Sequence, residues 1–432
     1  MSRKISFKTL GCRLNQFETD SLVSEFHHAG YQVVDFGHKA DVYIINTCTV
    51  TNQSDKKSRN LISRATRENG NAIIIVTGCM VNNYKNNLHH EPGQLYYIEN
   101  NRKSSIFSLI EAHRRGETMD PETLEPDLFG FSPADTTFHT RSLIKIQDGC
   151  DHYCTFCIVP FVRGRAVSRP VQDIIANIQQ VLEFGFREIV LTGVNLGRYN
   201  YEGVSFEDLV EKILNLQGDL RVRVSSMEPD GFGDKFISLF SHPRLMPHLH
   251  LCLQSGSDRI LQKMRRMYSL NDYMKIIDNI KNRYADFNLT TDIIVGFPGE
   301  TDEDFKASCK IVKEIGFSHV HTFKYSGRTG TRADRMPDQI PEKVKNERSE
   351  IIRKISAENK RAYRYSLLGK KQNVLVEKTR GKTGWGYGEL YVPVEFNHQE
   401  MKKNILREVK LTGLGEGDDP VLFGEQYKGV KV

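Results

Sequence analysis

Several things are missing from this 432-residue chain. No apolar run approaches the ~20 residues of a membrane span. The N-terminal MSRKISFKTLGC has no signal-peptide core. The expectation is a cytoplasmic protein without a membrane partner. There is no Walker loop, no G-x-G-x-x-G and no nucleophile elbow, so nothing signposts nucleotide hydrolysis, dinucleotide binding or serine-hydrolase chemistry. Eight cysteines are too few for a disulfide scaffold at this length. The formal charge is only +6, compatible with an RNA partner without requiring one. A hydrophobic content of 39% is enough for two or three packed domains.

What is present is cysteine in two groups of three. CDHYCTFCIVPFVRGR carries Cys150, Cys154 and Cys157 in a C-x3-C-x2-C spacing, with Phe156 just before the last. Three soft thiolates on one short loop suit three corners of an iron–sulfur cube and leave the fourth open, as a catalytic zinc keeps one open position. A zinc loop is the alternative. It needs a fourth ligand at matching spacing, and His152 lies inside the loop, badly placed to be one. The spacing, with its aromatic, resembles the signature of radical S-adenosylmethionine (SAM) enzymes. That resemblance implies an open iron that chelates SAM and an electron that releases a 5′-deoxyadenosyl radical.

Upstream, residues 1–116 alternate strand and helix, the pattern of a parallel α/β sheet. The strands ISFKTL, DVYIINT and AIIIVTG run up to Cys12, Cys48 and Cys79, with helices from about Asn15 to Ala29 and from Ser54 to Glu68 between them. Strand C-termini in such a sheet share one edge, where ligands bind, so the three thiols are expected to converge as a second cluster site. The alternative is three isolated buried thiols.

Residues 117–137 are acidic, contain three prolines and have no periodicity, a linker pattern. Over 138–341 six strand–helix units follow: SLIKIQ, EIVLTG, RVRVSS, HLHLCLQ, LTTDIIVG and HVHTFKYS. Six units without a closing pair predict an incomplete (β/α)6 barrel with the cysteine loop at its C-terminal mouth. Cys252 and Cys309 read as core residues. Residues 342–366 predict a charged connecting helix, eight Lys/Arg against four Glu, that can face phosphates. Residues 367–432 predict a small antiparallel β-barrel, a shape often used on nucleic acids.

TLGCRLNQFETD, NTCTVTNQSDKKSR, VTGCM, GCDHYCTFCIVPFVRGRAVSRP, LQSGSDRILQKMRRMYS and TDIIVGFPGETDEDF together resemble the radical SAM methylthiotransferases. The terminal barrel resembles their TRAM domain, which implies RNA binding. TLGCRLNQ with NTCTVT is most similar to the branch acting on threonylcarbamoyladenosine beside the tRNA anticodon. The other familiar substrates are isopentenyladenosine tRNA and an aspartate of a ribosomal protein. The resemblance implies two [4Fe–4S] clusters, Cys12/Cys48/Cys79 handling sulfur and Cys150/Cys154/Cys157 cleaving SAM, with methylthiolation at adenine C2. It also implies an electron donor such as flavodoxin or ferredoxin, and a monomer is expected. An auxiliary cluster that only transfers electrons is the rival reading.

By placement at strand ends, Phe156, Thr192, Gly193, Asn195, Ser226, Glu228, Gln254, Ser255 and Gly296 are the candidate SAM contacts; simple capping is their alternative role. A threonylcarbamoyl carboxylate calls for a forked cationic donor, for which Arg163, Arg165 and Arg13 are candidates. Phe161 is the favoured aromatic for stacking a flipped base.

Overall fold

The computed structural model describes residues 3–91, 94–117, 119–135, 139–397 and 402–426. Its first layer is a five-stranded parallel sheet. In chain order the elements are β1 (Lys4–Thr9), α1 (Arg13–His28), β2 (Gln32–Val34), β3 (Val42–Thr47), α2 (Asn52–Glu68), β4 (Ile73–Gly78), α3 (Cys79–Tyr84), β5 (Leu95–Ile98) and α4 (Ile106–Arg114). The spatial order is β2-β1-β3-β4-β5, so the three strands that end at cysteines are the three central neighbours. The all-buried VYIINT of β3 is the continuous apolar run that a sheet covered on both faces requires. Cys12 is itself the N-cap of α1, Thr51 caps α2 through the Ser54 amide, and Cys79 opens α3. Gly78, at φ +102°, makes that last turn; a Cβ there would strike the Thr47 backbone.

The stretch 119–135 is more than a tether. It lies along α1, burying Leu124 and Phe131, while Ser21 donates to the Ser132 carbonyl and Ser24 pairs with Asp135. Lys145 in the next strand, β6 (Ser142–Lys145), donates to the Leu128 carbonyl. The strap thereby fixes the first sheet to the second.

The central sheet is an open arc of six parallel strands taken in chain order, as expected: β6, Glu188–Thr192, Arg221–Val224 continuing as Ser226–Met227, His248–Leu251, Asn288–Val295 and His319–Lys324. The third strand breaks at Ser225. Its first half pairs back to the second strand and its second half forward to the fourth, which lets the arc curve. The helix Glu342–Ser366 is a connector and also a wall. Ile352 and Ile355 join the central core, and Arg348, Lys360 and Arg364 are tied to Glu300, Asp302 and Asp419. These three cations are therefore not available to phosphates; Lys343, Arg353, Lys354 and Arg361 are exposed.

The C-terminal unit is a closed five-stranded barrel ordered Lys371–Arg380, Thr383–Tyr387, Pro393–Asn397, Leu422–Gln426, Leu406–Leu414. One closing pair, Pro393–Asn397 with Leu422–Gln426, is parallel, a departure from the purely antiparallel expectation. The strand Thr383–Tyr387 escapes sequence reading because TGWGYGE looks like a turn; Gly386 is required there because a Cβ would hit the Leu375 carbonyl.

The N-terminal sheet is also pinned to the arc by Arg328, 3% exposed, which donates to Asn52, Thr49 and Asp55 at 2.7 Å each. Arg328→Ala leaves the buried Asp55 carboxylate with only the Thr49 and Tyr84 hydroxyls and no cation, and the expected cost is about 3 kcal/mol, read as a lower midpoint in urea denaturation. An unchanged midpoint would make this contact incidental.

Candidate active site

The six cysteines form two groups, and the short helix α5 (Val159–Arg163), which follows the second, packs against Cys79 of the first. Cys12, Cys48 and Cys79 converge at the edge of β1, β3 and β4; the Cys48 sulfur stands 3.2 Å from where a Gly11 Cβ would be, and the three thiols interact electrostatically with one another. Cys48 and Cys79 are buried and Cys12 is exposed. Cys150, Cys154 and Cys157 are all half-buried on the loop beyond β6. Cys79 packs directly on Ile158 and on Val162 of α5, so the segment that follows Cys157 joins the two groups.

The donor sets suit soft metal centres. Burial pushes the Cys157 thiol up to about 12 and raises Cys48, so binding a soft cation as thiolate opposes that shift. Arg266 donates to the Cys154 sulfur at 3.3 Å, and Asn195 Nδ2 lies 4.0 Å from that of Cys150. His152 is not a fourth ligand. Its Nε2 is taken up by Arg198 at 3.0 Å, with Asp230 at 3.4 Å. Each trio thus offers three thiolates and an open corner, which fits an iron–sulfur cube better than a closed zinc site.

The loop depends on one glycine. Gly149, at φ +70°, stands where a Cβ would collide with the Arg165 carbonyl. Gly149→Ala is expected to displace Cys150 and abolish iron binding at this trio; iron and sulfide analysis after anaerobic reconstitution checks it, and full iron content would refute it.

Beneath both groups lies a sealed charge cluster. Glu18 receives Lys103 at 2.5 Å, Lys145 at 3.0 Å and Arg163 at 3.2 Å, and Asp148 receives Lys145 at 2.7 Å and Arg163 at 2.9 Å. All five side chains are essentially inaccessible. Burial alone would raise Glu18; the three cations overcome it and hold its carboxyl well below the ordinary range.

The open mouth of the arc is a cavity of about 770 Å³. Thr192, Gly193 and Ser226 line it, together with Cys12 and Arg13. Asn195 is buried at its edge with its Oδ1 unsatisfied by protein, and Gln147 accepts from the Val194 and Asn195 amides at 2.9 Å, pinning that turn. Phe156 is half-buried, edge-on to Phe297. Glu228 pairs with Arg266, the residue on Cys154. Gln254, at φ +67°, and Ser255 are buried at the end of the fourth strand. Gly296 ends the fifth strand in a turn closed by the Glu300 carboxylate at 2.7 Å, away from the cavity lining.

Three sequence candidates for substrate contact are placed elsewhere. The Arg163 guanidinium is consumed by Glu18, Asp148 and Asn15, so it orders the fold and presents nothing to a ligand. Arg165 is exposed and pairs with Asp151, and Phe161 is exposed against Tyr153; neither lines the cavity. Arg13 does.

Sequence reading missed Gln147, Arg266, Tyr387, Tyr391 and the interior histidines. The alternating HLH and HVH of two strands were the visible signal: His248, His250, His319 and His321 all line the cavity. Cys252 lies just past its strand, with its sulfur 3.9 Å from Asp292, which also receives His250 at 3.2 Å. Burial, then the Asp292 charge, keeps that thiol protonated.

An open parallel arc carrying a C-x3-C-x2-C loop at its mouth defines a radical SAM enzyme. Residues 144–312 match the radical SAM superfamily model, and residues 4–98 match the uncharacterized protein family UPF0004. The chain is 36% identical to the threonylcarbamoyladenosine tRNA methylthiotransferase MtaB of Thermotoga maritima over 91% of both chains. To the Bacillus subtilis protein of that name it is 35% identical, over 95% of this chain and 94% of the relative. The radical SAM methyltransferase TsrM of Kitasatospora setae, with cobalamin and a [4Fe–4S] cluster bound, shares the fold at a TM-score of 0.53 and 14% identity, over 77% of each chain. The chain belongs to the MtaB family of radical SAM tRNA methylthiotransferases. The family carries a [4Fe–4S] cluster and SAM, and among the described residues no helix is long and apolar enough to cross a membrane.

Proposed function

We propose that this enzyme inserts a methylthio group at C2 of the threonylcarbamoyladenosine adjacent to the anticodon of tRNA, using two SAM molecules and two [4Fe–4S] clusters. The observation that supports the reading is the convergence of Cys12, Cys48 and Cys79 as one group and of Cys150, Cys154 and Cys157 as another, with Cys79 in contact with Ile158 and Val162 just beyond Cys157. The names of relatives at 34–36% identity supply the substrate. Cys150, Cys154 and Cys157 hold the cluster that supplies the electron for SAM cleavage, and Cys12, Cys48 and Cys79 hold the cluster that supplies sulfur chemistry.

The protein's own groups then have definite tasks. Arg266 places a positive charge against Cys154 and is itself oriented by Glu228. Gln147 holds the turn that bears Asn195 beside Cys150. The walls of the arc keep water away from a radical that reacts with whatever lies nearest. A small one-electron carrier of the flavodoxin or ferredoxin class supplies the reducing equivalent.

The test is nucleoside mass spectrometry on tRNA after anaerobic incubation with reconstituted enzyme, SAM and reductant. A methylthio gain on threonylcarbamoyladenosine alone is expected. A gain on isopentenyladenosine tRNA or a ribosomal protein would overturn the substrate and keep the chemistry. Deoxyadenosine production with no sulfur in any product would favour an auxiliary cluster limited to electron transfer.

A further inference from the structure

We propose that Arg13, held from above by Tyr391 of the C-terminal barrel, forms the subsite that receives the carboxylate of the substrate's side chain, so that the C-terminal barrel takes part in choosing the modified base. The inference rests on the threonylcarbamoyladenosine reading above.

Five lysines and arginines line the cavity: Arg13, Arg141, Lys360, Arg364 and Lys378. Three of them are already matched. Arg141 meets Glu377 at 2.6 Å, and Lys360 and Arg364 meet Asp419 at 3.2 and 2.8 Å. Lys378 is exposed on the outer barrel. Arg13 differs. Among the described residues its guanidinium has one polar partner, the Tyr391 hydroxyl at 3.3 Å, and no carboxylate. Three of the floor histidines, His248, His319 and His321, do not add charge at neutral pH. Burial, then neighbouring arginines or histidines, holds His248, His319 and His321 below their ordinary range, His319 at about 4. The remaining acid of the lining, Asp292, is paired with His250. Among the described residues of the lining, Arg13 is thus the forked cation without a carboxylate partner, and a carboxylate is the group that fork matches.

Tyr391 is placed with evident constraint. It sits at φ +55° in the tight link between two strands of the C-terminal barrel, a conformation disfavoured for a bulky side chain. Side chains of the central arc grip that link by its backbone. Arg223 donates to the Gly388 and Glu389 carbonyls at 2.7 and 2.9 Å, and Asn288 donates to the Leu390 carbonyl at 2.5 Å. The ring stacks on Tyr387 at 4.9 Å and lies 4.8 Å from His248, with the Arg13, Arg141 and Arg223 guanidiniums 5.8, 5.1 and 4.8 Å from its centre. An interdomain clasp alone would be satisfied by Arg223 and Asn288. The hydroxyl on Arg13 fixes the direction of a fork that is otherwise free.

The experiment is equilibrium binding of fluorescent anticodon stem–loops to the anaerobically reconstituted full chain, carrying threonylcarbamoyladenosine either as the free acid or as its methyl ester. The wild type is expected to prefer the acid by roughly ten- to a hundredfold, the range of a lost charged hydrogen bond. Arg13→Gln should bring the ratio close to one, Arg13→Lys should keep part of it, and Tyr391→Phe should lower it less than Arg13→Gln. Thermal unfolding of each variant accompanies the measurement, and the ratio is read only on variants that melt with the wild type; Arg13→Lys and Tyr391→Phe, which keep charge or ring, provide the comparison if Arg13→Gln does not. A wild-type preference that survives in every folded variant would overturn the subsite while sparing the substrate. A wild type that binds acid and ester equally would overturn the carboxylate reading together with the subsite.

Discussion

Glu18→Ala should be the most damaging single change outside the six cysteines, abolishing soluble, iron-loaded protein. Glu18 is the common acceptor for Lys103, Lys145 and Arg163, all sealed from water. Removing it leaves three buried cations facing the single carboxylate of Asp148. Breaking a buried pair this way costs about 3–5 kcal/mol, a large share of the roughly 5–15 kcal/mol that holds a domain together. The cluster also joins three parts of the chain, α1, the turn after β5 through Lys103 and the cysteine loop through Asp148 and Arg163, so its loss loosens both thiol groups at once. The double variant Glu18→Gln with Lys103→Met, which removes one charge of each sign, should recover much of the stability. Urea midpoints and iron content of the three proteins check this; a Glu18→Ala protein as stable as wild type would refute the account. The pH dependence has a definite sign. The folded pKa of Glu18 lies below its unfolded value, so its contribution is present above the ordinary carboxylate pKa and fades as pH falls below about 4 towards the folded one.

The second large effect separates the two thiol groups. Alanine at Cys150, Cys154 or Cys157 should abolish 5′-deoxyadenosine formation, because loss of one of three thiolates leaves the cube with two protein ligands. Alanine at Cys12, Cys48 or Cys79 should leave SAM cleavage measurable while sulfur insertion falls below detection. Cys79 nevertheless rests on Ile158 and on Val162 of α5. Some disturbance of SAM cleavage is therefore expected from Cys79→Ala and less from Cys12→Ala, whose side chain is exposed. Chromatographic quantitation of deoxyadenosine beside mass spectrometry of the tRNA provides both readouts. Methylthiolated product from any Cys12, Cys48 or Cys79 variant would remove the second trio from the reaction.

Much of this architecture was legible because its signals are local. A strand running into a cysteine is readable three times over in TLGC, INTC and VTGC, and the parallel arrangement brings the three ends to one edge. The six barrel strands announce themselves by β-branched runs of ordinary length. What sequence cannot supply is partnership across long separations. Arg163 looked like a ligand-binding residue because it follows the cysteine loop. Its partners, Glu18 and Asn15, lie 145 and 148 positions away, and only the fold reveals that its charge is spent. Tyr391 was invisible for the same reason: its partner Arg13 is 378 residues earlier. The strand Thr383–Tyr387 hid behind glycines chosen for close backbone approach rather than for turning.

The arc of six strands leaves a gap where a closed barrel would have two more. That opening is lined by Lys360 and Arg364 of the long helix and by Tyr387, Tyr391, Val392 and Pro393 of the C-terminal unit. The missing staves are supplied by a separate module later in the chain. During synthesis the reaction chamber therefore stays roofless until nearly the last strands have emerged and folded, and a nascent or truncated chain that has already gathered its thiols would hold them beside an unwalled space. The order of the chain makes enclosure the final event of assembly.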